Sequence, residues 1–424
     1  MRRVLRENAL CALTASAGCA TLAWLGLYGF AWNDYEVEAQ PAFEALVHGH
    51  VSSFLRLAPV YGGSLVERAP FALMPGLWGG GELAVYRMVA LPCLLAAAAL
   101  GVWLAARMRA HGHSTLSRAV ALGICVANQL TLSALELGHP EELLGACLCV
   151  GAVLCAARER PLWAGLLLGL AIANKEWALL AVGPVLLTLP PKRRLWCLAS
   201  TGAIAAAVLL PLTLSASGGF AASAKATAST SSTIFQPWQI WWFFGYHGPL
   251  VHGLFGAPLY GYRTGPAWAG MVSHPLIVAI GFALAGLLWL QRRHGARTIP
   301  GRDGLLLLAL ALLLRCLLDT WNTGYYMLPC LLALLVWEVS GEARRPPVLT
   351  LVGVLLPWIV LHELSTGGMS ADPQAALFLA WTIPLTAALA LKLYAPGLKF
   401  SLRPREYGRT AAKNDGLALA PPAR

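Results

Sequence analysis

The feature that most constrains this chain is a recurring one: long apolar runs, rich in Leu and Ala, each ended by a short cluster of arginine or lysine. Water cannot solvate such runs. In lipid, about 20 consecutive apolar residues span the hydrocarbon as a helix that satisfies its own backbone hydrogen bonds. Only 12% of the 424 residues are charged and 58% are hydrophobic, whereas a soluble domain carries about 25% charged residues. Cytosolic enzymes, secreted domains and disordered chains are thereby excluded. An outer-membrane barrel would alternate polar and apolar residues in segments of about ten, and these runs are unbroken. The fold class expected is all-α, a polytopic helical membrane protein.

Charge placement supplies the topology. A net charge of +11 would suit a nucleic-acid partner, but the cations cluster at the ends of apolar runs, which is how a membrane protein sets its orientation. The clusters are Arg2–Arg6, Arg107–Arg118, Arg158–Arg160, Lys192–Arg194, Arg292–Arg302, Arg344–Arg345 and the tail after Lys392. No nucleic-acid partner is expected. With these clusters cytoplasmic, the chain must leave and return between each pair. Spans are expected at 9–31, 83–105, 119–135, 141–157, 195–214, 272–290, 303–318, 325–339, 347–362 and 375–392. Between Arg160 and Lys192 too few residues remain for two spans of about 20. A short, re-entrant-like pair is expected there, at 162–173 and 177–189, with a polar elbow at Asn174-Lys175-Glu176.

The sum is about twelve membrane helices, with both termini inside and most acidic residues outside. The first apolar stretch runs to Trp32, beyond the 7–15 residues of a signal peptide's apolar region, and is expected to be retained. Residues 1–392 form one membrane domain, and 393–424 a disordered cytoplasmic tail. Ten cysteines lie in or beside apolar runs without a C-x-x-C pair, as small packing residues with no disulfide framework. The pairs His48/His50 and His111/His113 lack a third ligand, so neither a metal nor a cofactor is expected.

Two outer segments, 32–82 and 215–271, exceed ordinary connections, and loops of that length are usually functional. The first begins Asn33-Asp34-Tyr35-Glu36 and holds an amphipathic stretch, Phe43 to Val47, suited to the membrane interface. The second carries Trp238, Trp241, Trp242, Phe243, Phe244 and Tyr246, the pattern of an aromatic belt, and a Ser/Thr/Ala stretch at 222–233 that reads as a mobile loop.

Ionisable groups at membrane segments are costly and functional by default. Four clusters fall at the outer ends of helices under this topology. Asp34, Glu36 and Glu38 follow the first helix, as a base or as the solvated start of a loop. Glu136, His139, Glu141 and Glu142 surround Pro140, as a site or as the acids of a well-capped helix start. Lys175 at the tip of a hairpin suits a lipid phosphate, or a structural pair with a carboxylate. Arg315, Asp319, Trp321, Asn322, Tyr325 and Tyr326 form the last cluster. Its Arg315 and Asp319, four residues apart, share a helix face on which they can pair.

These residues bring out a likeness. The acidic Asp34-Tyr35 outside the first helix, the block from Gly138 to Lys175 with its run Pro161 to Pro184, and the outer motif Trp321 to Tyr326 resemble the multi-pass glycosyltransferases of the C superfamily. The nearest likeness is to the polyprenyl-phosphate-mannose-dependent mannosyltransferases of glycosyltransferase family 87. The resemblance implies an outer-face active site in which Asp34 is the general base on the acceptor hydroxyl. It implies a polyprenyl-phosphate sugar donor and a glycan or glycolipid acceptor, met among membrane lipids. Lys175 and Arg315 would hold the phosphate, with His139, Glu142, Asn174, Asp319, Trp321, Asn322, Tyr325 and Tyr326 also binding substrate. Members often carry a histidine after the outer tryptophan, where this chain has Asn322, Tyr325 and Tyr326. The rival classes are a secondary transporter, which would gather its charges near the midplane, and a protein that handles lipid-linked glycans.

Overall fold

A computed structural model describes residues 8–19, 34–215, 235–248, 251–252, 258–259, 261–293, 298–341, 344–364 and 367–396. The second half of the first expected span, the 222–233 stretch and the tail from 397 lie outside the described residues. The regular structure of the described residues is helical apart from an antiparallel ribbon pairing Val251–His252 with Pro258–Leu259 and a single bridge between Tyr246 and Thr264.

Among the described residues, helices occupy the positions where the sequence places spans. In chain order they are α1 (Asn8–Cys19), α2 (Gln40–Val47), α3 (Val51–Leu57), α4 (Gly62–Ala72), α5 (Glu82–Ala110), α6 (Thr115–Val126), α7 (Gln129–Glu136), α8 (Glu141–Ala157) and α9 (Pro161–Asn174). There follow α10 (Val182–Thr188), α11 (Pro191–Ser215), α12 (Ala267–Arg292), α13 (Gly301–Leu318), α14 (Leu328–Val339), α15 (Val348–Trp358) and α16 (Ala371–Tyr394). Among the described residues, five stretches are long and apolar enough to cross a membrane: α5, α6 with α7, α11, α12 and α16.

Local chemistry explains the breaks. Asn128, with ψ 140°, interrupts the span of α6 and α7 and caps the second piece, its Oδ1 accepting from the amides of Leu130 (2.8 Å) and Thr131 (3.3 Å). At the expected elbow Lys175 is extended (φ −153°, ψ 135°). The chain resumes as a 3₁₀ turn, Glu176–Ala181, before α10. The re-entrant-like pair is thus present, its second arm opening with tighter turns than a plain helix.

Burial sorts the helices into layers. In the apolar windows of α11, α12 and α16 only 17%, 28% and 22% of residues are buried, which suits helices that face lipid. By contrast α13 and α14 are apolar and covered all round, from Leu305 to Leu313 and from Leu328 to Val336, as helices at the centre of a bundle are. Around them pack α8, α10, α12, α15 and α16, while α9 is wedged between α8 and α11.

The outer segments behave differently from surface loops. Helices α2 to α4 and the start of α5 share a small core of Phe43, Phe54, Tyr61, Leu65, Tyr86 and Val89. The amphipathic face of α2 is therefore covered by protein and does not lie in the membrane interface as the sequence led one to expect. In the second segment Trp238 and Trp242 are buried, while Phe243, Phe244 and Tyr246 are exposed. Only part of that aromatic set is free to meet the interface, because the segment docks on the end of α13. The Gln236 amide donates to Thr320 O (2.9 Å), the Ile240 amide to Leu317 O (2.9 Å) and the Trp241 indole to Leu318 O (2.7 Å). These donors satisfy carbonyls that a helix end leaves open.

Candidate active site

Two close approaches bring four distant segments together. Gly138 has φ +86°, and a Cβ there would lie 2.7 Å from the Tyr35 amide nitrogen. Only glycine allows both that conformation and that contact, so the turn before α8 presses against the residue after Asp34. A Cβ at Gly63 would lie 2.0 Å from Ala173 O, so α4 packs its backbone against the end of α9, next to Asn174-Lys175.

Asp34 opens a π-helical turn, Tyr35–Ala39, of the kind that recurs at functional sites. Its Oδ2 lies 3.3 Å from His139 Nε2, and His139 Nδ1 lies 2.8 Å from Glu141 Oε1. Burial acts to lower the imidazole pKa, but Glu141 and the hydrogen bond to Asp34 outweigh it and push it up to about 9. At neutral pH His139 is thus an imidazolium that donates from both nitrogens, one proton to each carboxylate. Tyr325 stacks on it at 5.3 Å between ring centroids.

Behind His139 lies a buried ionic layer. Glu141 also faces Arg68 NH2 at 3.3 Å and Lys175 Nζ at 3.2 Å. Lys175 Nζ is 3.7 Å from Glu142 Oε1 and sits 4.0 Å over the Tyr61 ring. The Tyr61 hydroxyl donates to Glu38 Oε2 at 2.5 Å. Glu142 accepts from the Trp177 indole (3.2 Å) and from Arg315 NH1 (3.5 Å). The Arg315 guanidinium lies between the rings of Trp177 (5.1 Å) and Tyr326 (4.2 Å), an arrangement that favours a cation. Asn174 Nδ2 donates to Glu141 O at 2.8 Å, tying the elbow to the first turn of α8.

Of the residues singled out in the sequence, Asp34, His139, Glu142, Asn174, Lys175, Arg315, Tyr325 and Tyr326 therefore meet in one cluster. Asp319, Trp321 and Asn322 form a separate layer beside it. Asp319 leaves the helix with ψ 119°, so the pairing with Arg315 allowed by their spacing is not made. Its Oδ1 instead accepts from the Trp321 amide (2.9 Å) and faces His274 Nε2 at 3.4 Å. Asn322 is buried and donates to Trp238 O at 2.6 Å, anchoring the second outer segment.

Sequence reasoning missed Arg68, Tyr61 and Trp177, and counted Glu141 only as a member of its cluster. Arg68 did carry a signal: it is an arginine directly before the apolar run Ala69 to Met74, in the long segment 32–82 that the sequence marks as functional.

Fold and cluster together define a helical membrane protein whose charged residues converge at helix ends. The family model of glycosyltransferase family 87 matches residues 63–314, more than half of the chain, and the chain belongs to that family. It is a membrane glycosyltransferase, with a sugar donor and an acceptor as its substrates. The match takes in Arg68, His139, Glu141, Glu142 and Lys175. It begins after Asp34 and ends one residue before Arg315. A comparison with curated proteins finds no match.

Proposed function

We propose that this protein transfers a hexose, mannose by its family resemblance, from a polyprenyl phosphate donor to a glycan or glycolipid acceptor on the extracytoplasmic side of the cell membrane, with Asp34 as general base. The observation that carries the reading is the position of Asp34. Its side chain is 24% exposed, at the rim of a layer in which Lys175, Arg315, Glu141 and Glu142 are almost wholly covered.

His139 takes one carboxylate oxygen of Asp34 and leaves the other for a hydroxyl. The acceptor oxygen attacks the anomeric carbon with inversion while its proton passes to Asp34. The bond from that carbon to the phosphate oxygen breaks, and its electron pair leaves with the polyprenyl phosphate, which gains one negative charge. Arg68, Lys175 and Arg315 make three permanent cations against the two buried carboxylates Glu141 and Glu142. Lys175 and Arg315 are the cations placed to receive the phosphate, and preorganised charge of this kind stabilises a leaving group more than water does. Tyr325, Tyr326 and Trp177 supply aromatic faces, and no nucleotide-binding loop is required.

The test is turnover in proteoliposomes loaded with radiolabelled polyprenyl phosphate mannose and an acceptor glycolipid. The expected result is label covalently joined to the acceptor. Label that accumulates across the bilayer without joining the acceptor would contradict transfer and make the protein a transporter.

A further inference from the structure

The ammonium of Lys175 has three N–H donors and no acceptor, and among the described residues three groups surround it. Glu141 Oε1 lies at 3.2 Å, Glu142 Oε1 at 3.7 Å and the face of the Tyr61 ring at 4.0 Å. The two carboxylates balance buried cations, whereas Tyr61 has no charge to balance. Its place is set by the chain around it. Tyr61 directly precedes α4, which opens with Gly62-Gly63. The close approach of Gly63 to Ala173 O brings the Tyr61 ring over Lys175, two residues beyond Ala173. The ring is buried. Its hydroxyl donates to Glu38, in the turn that follows Asp34, and it stands T-shaped against His139 at 5.7 Å between ring centroids. Tyr61 thus touches both the cation proposed for the phosphate and the histidine that holds the proposed base.

A carboxylate and an aromatic ring hold a cation in different ways. A carboxylate cancels its charge. A ring face attracts it through the quadrupole and brings no net charge of its own. The Lys175 ammonium is closer to Glu141 than to Glu142, and the ring takes a third side. The lysine stem is four flexible carbons, so without the ring the ammonium can close on Glu142, which would then compete with a phosphate for it. We infer that Tyr61 is a positioning residue for the donor: its ring face holds the Lys175 ammonium off Glu142, fixed in place and still charged toward a lipid phosphate. The inference rests on the transferase reading above and adds to it what keeps that cation available.

The test uses the full chain in lipid nanodiscs, with phenylalanine and its mono-, di- and trifluorinated forms placed at position 61. Each fluorine withdraws charge from the ring face and weakens its hold on a cation, while the size of the side chain changes little, so packing and folding are kept. Donor Kd is read by titration with polyprenyl phosphate mannose in the absence of acceptor, and acceptor KM is read with donor at saturation. Tyr61→Phe keeps the ring and binds donor close to wild type. Donor Kd then rises with each fluorine, to about tenfold for the trifluorinated ring, and acceptor KM does not move. Tyr61→Leu, which fills space without a ring face, weakens donor binding at least as much. A flat fluorine series overturns the inference even where Tyr61→Leu weakens binding, because the ring would then act by its bulk alone. Wild-type donor binding in Lys175→Ala overturns it as well. Failure of the functional reading looks different: donor binding follows the fluorine series, yet the wild-type protein transfers no sugar.

Discussion

Two ionic assemblies sit at the ends of the helices, and they differ in what holds them. The inner one joins Asp34, Arg68, His139, Glu141, Glu142, Lys175 and Arg315, drawn from the start of the outer segment, α4, the turn before α8, α8 itself, the elbow and α13. The outer one is a latch. Arg263 grips Asp372 with two parallel hydrogen bonds, Nε to Oδ1 (2.8 Å) and NH2 to Oδ2 (2.7 Å), and the Trp242 indole adds a third at 2.8 Å. The latch has the better geometry, yet its side chains are 16% and 35% exposed. The inner cations have longer contacts and are 10% exposed or less. Solvent screens the exposed latch far more than the covered inner assembly, so burial, and not distance, decides which one resists change.

The largest effect on stability is expected where removal of one partner leaves a buried charge. Arg315→Ala leaves the buried Glu142 with only the longer contact to Lys175, which Glu141 shares, and costs about 3 kcal/mol, read as a fall in thermal unfolding temperature in detergent. Arg315→Ala with Glu142→Ala should cost less than the sum of the single changes, because the two side chains are coupled. Next is Lys175→Ala, which should lower kcat/KM for the lipid donor by the equivalent of about 2–5 kcal/mol in initial-rate assays with the protein still folded. Wild-type kinetics would remove Lys175 from the phosphate site.

His139 gives the comparison a pH axis. Its pKa is raised from 6.5 to about 9 in the folded protein, where Glu141 and Asp34 outweigh the burial that opposes the charge. The folded state therefore holds this proton more tightly than the unfolded chain. The resulting stability is fully present below pH 6.5 and is lost as pH rises through about 9. His139→Gln should be less stable than wild type at pH 6 and should lack the alkaline decline, as read by unfolding temperature against pH. The smallest effect is expected at the latch. Arg263→Ala should cost about 1 kcal/mol or less and lose part of even that difference in high salt, as seen in unfolding at two ionic strengths.

The helices were legible because lipid imposes one demand, an apolar run ended by charge, and that demand is local in sequence. Asn174-Lys175 could be placed at a helix break for the same reason: a lysine inside an apolar hairpin has few structural uses. The partners of Lys175 were harder to see. Glu141 and Glu142 read equally well as ordinary acids in the first turn of α8, and only the glycine contacts at 63 and 138 bring them under Arg68 and beside Asp34. Arg315 and Asp319 show the opposite failure. Their spacing fits a pair, but the helix ends between them, and each side chain turns to a partner from another segment, Arg315 to Glu142 and Asp319 to His274. The amphipathic face of α2 reads as lipid-facing until α3 and α4 are seen to cover it.

The most direct measurement of the central claim is sugar transfer from a polyprenyl phosphate donor by three single variants, each checked for folding and donor binding. Asparagine at position 34 keeps the shape of the carboxylate and cannot take a proton. Asp34→Asn should therefore lower transfer by about 10²–10⁴-fold, with donor binding intact. Glu36→Gln, an exposed neighbour in the same turn, should stay close to wild type, and Glu38→Gln, which loses only its charge beside Tyr61, should retain most activity. Retained transfer in Asp34→Asn, or its loss in Glu36→Gln instead, would contradict the assignment of Asp34 as the base.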